Sequence, residues 1–193
     1  AEHSHFKEDP LGRLHRTMNT MWSIVFDEAA AARASLERVR SVHGKVRGAV
    51  AQDEASFTGA RYDALDPELL FWVHATLIDS GMVAYDNFVE PLSPVEASRY
   101  YEESKILARL FDIPEYIVPA SLAGFQAYMK AMLAGNQIAV GPSARALAKE
   151  ILYSLPSLLK PAGPLFRLIT AGLLPAELRK AYGLGWNQRR EKI

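Results

Sequence analysis

Two histidines and a short cationic run are the residues of this chain whose types and spacing suit chemistry. Read as a helix from Ala29 onward, the sequence puts Leu36, Val39, His43, Val46 and Val50 on one stripe, with Arg33, Glu37, Arg40 and Arg47 opposite. His43 is therefore expected to point into the core. A buried imidazole there needs a partner for at least one ring nitrogen, either a hydrogen-bonding group or a metal. His74 stands in the same situation within LLFWVHATLIDSGMVAYDNF, with Leu70, Phe71, Leu77 and Ile78 as helical neighbours. Asp79, five residues on, turns to a different face and is poorly placed to pair with it. Taken singly, each histidine reads as a hydrogen-bonded core imidazole. Two of them in the middle of apolar stripes in one small domain raise the prospect of a site.

The cations are Arg13 and Arg16, which share a helix face with Thr17 and Thr20, beside an apolar stripe of Leu14, Met18, Met21 and Val25. The plain reading is a solvated edge. The alternative is a pair of fixed cations and a hydroxyl that hold anionic groups or a developing oxyanion. A non-covalent haem in a helical pocket would use such a set: imidazole on the iron, apolar walls, and arginines for the propionates or for bound oxygen.

Composition removes many other chemistries. The charges balance, with 22 Lys and Arg against 22 Asp and Glu, which gives no support to a nucleic-acid partner. There is no cysteine, so disulfides, iron–sulfur clusters, thiolate-ligated haem and Cys-based zinc sites are excluded. No GxGxxG after a strand, Walker loop, HExxH or nucleophile elbow occurs. The one ExxH spacing, Glu2 to His5 with His3 between them, lies in a polar arm and reads as coincidence rather than as half of a di-iron site. No apolar run reaches the roughly 20 residues that cross a bilayer, and no signal peptide opens the chain. The expected location is cytoplasmic.

The elements that must position these residues read as helices throughout. The expectation is an all-α, single-domain, multi-helix bundle over residues 1–193, with residues 1–10 an arm and 151–193 a C-terminal helical cap. Asp66-Pro67-Glu68 supplies an N-cap, a proline at the first helical position and a carboxylate in the first turn. Ser93-Pro94-Val95-Glu96 is a capping box that starts a helix to about residue 110, ended by Asp112-Ile113-Pro114. Further helices are expected from Ser121 to Gly135, from Ser143 to about Leu155, and from Pro175 on. The segment between residues 48 and 66 reads as a loop without strands, because no convincing period of two occurs in it.

Four blocks, AEHSHFKEDPLGRLHRT, VHGKVRG, YDALDPELLFWVHATLIDS and LPAELRKAYGLGW, resemble the bacterial branch of the family named for the fungal oxygenase MpaB and the latex clearing protein. The resemblance covers essentially the whole chain. It implies an all-helical fold, a b-type haem with one axial histidine, and, for the rubber-cleaving members, cleavage of carbon–carbon double bonds with dioxygen. Their pattern implies a distal role for Arg13 and Thr17 and an axial, metal-binding role for His43. Where those members carry a distal lysine this chain has Arg16, and a guanidinium is a very poor iron ligand. The family's bacterial branch shares the WVHATL block, in which His74 is a second ligand, a proton relay or a core histidine. Relatives also carry an apolar helix with a His-Pro ahead of the position where this sequence starts.

The expectation is therefore an oxidoreductase of the haem-dependent oxygenase type, with haem b, dioxygen and a hydrophobic small-molecule substrate. Arg13, Arg16 and Thr17 are its catalytic candidates, and His43, His74 and Arg47 its cofactor contacts. Two other readings stay open: a cofactor-free helical protein that binds an apolar ligand or partner, and a non-haem metal protein that uses both histidines with a carboxylate such as Asp79.

Overall fold

The computed structural model describes residues 10–50, 60–135, 137–153, 155 and 157–186, so the Glu2, His3, His5 spacing and the basic tail after Trp186 lie outside the described residues. The described chain is all-α, with eight α-helices and one two-stranded ribbon. Helices α1 (Pro10–Phe26) and α2 (Ala29–His43) form a hairpin across Asp27 and Glu28. Its register is marked by a 2.9 Å hydrogen bond between the Ser23 and Ser35 hydroxyls, to which Arg38 adds an Nη2 donor at 2.7 Å on Ser35 Oγ.

The direction of α1 differs from expectation. Ile24, 6% exposed, turns inward, whereas Leu14, Met18 and Val25 of the expected core stripe are exposed, together with Trp22 and Phe26 at 60% and 70%. Helical period puts Arg13, Thr17 and Thr20 on the Ile24 side. Amphipathicity specifies that a helix has two faces; it does not specify which face the neighbouring element takes.

The stripe of α2 is also shorter than read. Leu36 is buried and Val39 and His43 are half-buried, but the helix stops at His43, with Gly44 as its C-cap. Beyond it the expected loop contains strands: β1 (Arg47–Ala49) pairs antiparallel with β2 (Arg61–Asp63), in the register Arg47 to Asp63, Gly48 to Tyr62 and Ala49 to Arg61. Strands of three residues are too short to show an alternation. Gly48 leaves room for Tyr62, whose hydroxyl oxygen would sit 2.7 Å from a Cβ at that position and would have to move aside.

The capping signals are realised as expected. Asp66 accepts from the backbone N–H groups of Glu68 and Leu69 at the start of α3 (Pro67–Phe88), and Ser93 and Glu96 form a reciprocal box at the start of α4 (Pro94–Leu110). Ser121 caps α5 (Leu122–Ala134). These three helices enclose the core: Phe71, Ala75 and Ile78 from α3, Tyr101 and Ala108 from α4, and Phe125 and Met129 from α5. Tyr101 and Phe125 rings lie 4.9 Å apart, and the Tyr101 hydroxyl donates to the Pro119 carbonyl at 2.6 Å.

Helices α6 (Pro142–Tyr153), α7 (Gly163–Leu173) and α8 (Ala176–Ala181), with a 3₁₀ turn (Ser157–Ala162) before α7, complete the described chain. Helix α7 packs on α6 and α3, while its Leu165, Phe166 and Ile169 remain exposed. Among the described residues no helix is long and apolar enough to cross a membrane.

Candidate functional site

A cleft of about 230 Å³ opens where the end of α2 meets the start of α3 and the end of α4. Its walls are largely apolar, with Leu65, Pro67, Leu70 and Phe111, and three polar groups enter it: His43, Arg40 and Asp112. Termination of α2 at Gly44 leaves His43 as the last helical residue, half-buried against these walls. Burial pushes its imidazole below the ordinary value, so that the ring is neutral at physiological pH and offers a lone pair.

Arg40, one turn earlier, was read as lying opposite His43. It instead enters the same cleft, in contact with the Asp112 carboxylate, while its Nη2 donates to the Leu110 carbonyl at 2.9 Å. Spacings of three and four both bring helical residues together, so the Arg40 to His43 interval held the signal. Asp112, Phe111 and Leu65 carried none, being remote in sequence.

The other expected site residues fall into two groups. Arg13, Arg16 and Thr17 have exposed side chains on α1. The antiparallel hairpin, with Ser23 level with Ser35, sets the turn carrying Arg13 and Thr17 level with the end of α2 that carries His43. Arg47 lies outside the cleft walls, in β1, where its Nε meets the Asp63 carboxylate at 2.9 Å. His74 also stays out of the cleft. It follows the cleft residue Leu70 by one helical turn, about 6 Å along the axis. There it is 8% exposed, and its Nε2 lies 3.1 Å from the Ser104 carbonyl oxygen. The acceptor fixes Nε2 as the protonated nitrogen of a neutral ring, and burial pushes the imidazole down despite that bond. Asp79 is half-buried, with burial raising its carboxyl.

Among the described residues no three His, Asp or Glu side chains stand together as a metal would require, which leaves the non-haem metal reading without a ligand set there. Haem asks less of the protein, a single imidazole and apolar walls, and the His43 cleft fits that donor requirement. The volume is below the roughly 300–1,000 Å³ of pockets that surround a drug-sized ligand, so the described walls do not by themselves enclose a group of that size. A larger groove of about 530 Å³ lies between α6 and α8 around Arg145, Glu177 and Lys180; it is wide open and has no imidazole in its lining.

No solved structure matches the chain. Uncharacterised proteins of Mycobacterium bovis and Mycobacterium tuberculosis are each 31% identical to it over 133 residues, which is 68% of this chain and 52% of theirs. The chain thus spans about half the length of those relatives. The family model described as ER-bound oxygenase mpaB/B'/rubber oxygenase, catalytic domain, matches residues 1–193. The all-helical fold is what the quoted sequence blocks implied, and the chain belongs to the mpaB/rubber oxygenase catalytic-domain family.

Proposed function

We propose that this chain acts as a haem-b-dependent oxygenase domain on a hydrophobic organic substrate, with dioxygen as co-substrate and His43 as the axial ligand. Membership of an oxygenase catalytic-domain family supports the reaction class. The observation that carries the assignment of the ligand is the neutral, half-buried His43 ring facing Leu65, Leu70 and Phe111. Bound there, haem would supply the iron at which dioxygen is activated. The chain's own residues would do the remaining work. The apolar walls exclude water and favour a hydrophobic substrate. Arg40, balanced by Asp112, keeps a cation at the cleft without leaving net charge in it. Arg13 and Thr17, on the turn of α1 level with His43, would donate hydrogen bonds to anionic or oxygen-bearing groups brought to that end of the hairpin. Arg16 remains cationic at any working pH and serves as a charge, not as an iron ligand.

The test is the absorption spectrum of the purified protein, oxidised and then reduced, with an iron count and with hemin added to any colourless fraction. The proposal expects a Soret band with near-stoichiometric iron, and its loss in His43→Ala at unchanged helical circular dichroism. A His43→Ala protein with an unaltered Soret band would refute the ligand assignment. Protein that takes up no hemin at all would favour the cofactor-free apolar binder.

A further inference from the structure

The backbone at Asp112 is unusual for the residue that occupies it. The end of α4 is a Schellman closure: Ile113 N–H donates to the Ala108 carbonyl at 3.1 Å and Asp112 N–H to the Arg109 carbonyl at 3.0 Å. Asp112 takes the left-handed position of that motif, φ 56°, where glycine is the unstrained choice, and it is the one non-glycine residue with positive φ among the described residues. Its carboxylate also sits at the negative end of the α4 dipole, where an anion is disfavoured. Two local penalties thus meet at one residue, and neither is offset within α4.

The offsetting partner comes from α2, about 70 residues earlier in the chain. Arg40 Nη2 meets the Asp112 carboxylate and also donates to the Leu110 carbonyl, which joins the last turn of α2 to the end of α4 in the lining of the His43 cleft. The guanidinium also places a cation at the helix C-terminus, where the dipole favours one. Both side chains remain substantially exposed, 42% and 74%, so the pair is screened by water and salt and cannot act as a permanent staple.

We infer that Asp112 is a positioning residue: it holds Arg40 across the cleft and thereby sets how far the α2 turn bearing His43 stands open to incoming molecules. The carboxylate is kept at a glycine position for that contact. The inference rests on the reading of His43 as the functional imidazole. It is tested on the ring itself, in haem-free protein, so that its failure is distinct from a failure to bind haem.

The probe is diethyl pyrocarbonate, with modification of each histidine followed by peptide mass spectrometry. In the wild type, exposed His15 should react quickly, His43 slowly and buried His74 least. Asp112→Asn, which keeps tolerance of the left-handed conformation and loses the charge, is expected to speed His43 severalfold and leave His15 and His74 unchanged. Arg40→Gln, which also loses the bond to the Leu110 carbonyl, should do at least as much, and the double variant should go no further than Arg40→Gln alone, because that change already removes the shared contact. Asp112→Gly is the decisive variant. It relieves the backbone strain, so it should melt at or above the wild-type temperature while still exposing His43. An unchanged His43 rate in Asp112→Asn, additive effects of the two single variants, or a lower melting temperature in Asp112→Gly with His74 accelerated alongside His43 would each overturn the inference.

Discussion

His74 makes a prediction whose sign and size follow from its surroundings. Its neutral ring donates from Nε2 to the Ser104 carbonyl, and burial holds its pKa below that of the unfolded chain. In the interval between the two values the unfolded state binds the extra proton and the folded state does not, so stability rises with pH across it. The contribution is complete above the unfolded value of about 6.5 and is lost progressively as pH falls toward the folded one. One proton of difference is worth at most about 1.4 kcal/mol per pH unit. The unfolded imidazole is already half-protonated at pH 6.5, so acidification from there to 5.5 removes up to about 1 kcal/mol through His74, or roughly 2–4 °C in melting temperature for a chain of this length. His43 adds a loss of the same sign. Asp79 acts oppositely, since its raised carboxyl favours the folded state in acid, which is a reason to stop at pH 5.5. The assay is urea denaturation at pH 7.5, 6.5 and 5.5 for wild type, His74→Gln and His43→Gln. The glutamine amide at position 74 can still donate to Ser104 but cannot titrate. His74→Gln should flatten the acid slope and His43→Gln should flatten it less, in keeping with the greater burial of His74. An acid slope in His74→Gln equal to that of wild type would refute the reasoning.

Three further changes test the packing. Phe71→Ala empties a fully buried position at the centre of the core and should cost about 3–5 kcal/mol in urea denaturation. Tyr101→Phe leaves the Pro119 carbonyl without its 2.6 Å donor and should cost about 1–3 kcal/mol by the same measure. Ser93→Ala removes half of the capping box of α4 and should cost about 0.5–2 kcal/mol, with circular dichroism reporting fraying of that helix and not loss of the fold.

The sequence reading was most reliable where a local rule decides the outcome. The Asp66 cap and the Ser93 to Glu96 box depend on side chains that bond their own helix, so the structure could only repeat them. His74 was legible for a related reason, since a helix apolar nearly all round leaves its residues no exposed face. The inversion of α1 was not legible. Its two-faced pattern is plain in the sequence, but that Ile24 and Ser23 and not the Leu14, Met18, Val25 stripe turn toward α2 is set by tertiary packing. The ribbon at Arg47–Ala49 was missed because three residues cannot show a period. At the candidate site the imidazole was legible and its surroundings were not. Leu65, Phe111 and Asp112 reach His43 only through the turn of the chain, and Arg40 was assigned to the wrong face by a stripe drawn too narrowly.

The outward stripe of α1 has a consequence for handling the molecule. A helix that shows Leu14, Met18, Trp22 and Phe26 to water ties those positions to colloidal behaviour more than to folding free energy. Glutamate or lysine there should raise the concentration at which the chain stays dispersed and leave the denaturation midpoint nearly in place. Sulfate and other excluded salts, which strengthen apolar burial inside the core, should at the same time drive these faces together in solution, so the conditions that most favour the folded chain are those in which it is least soluble.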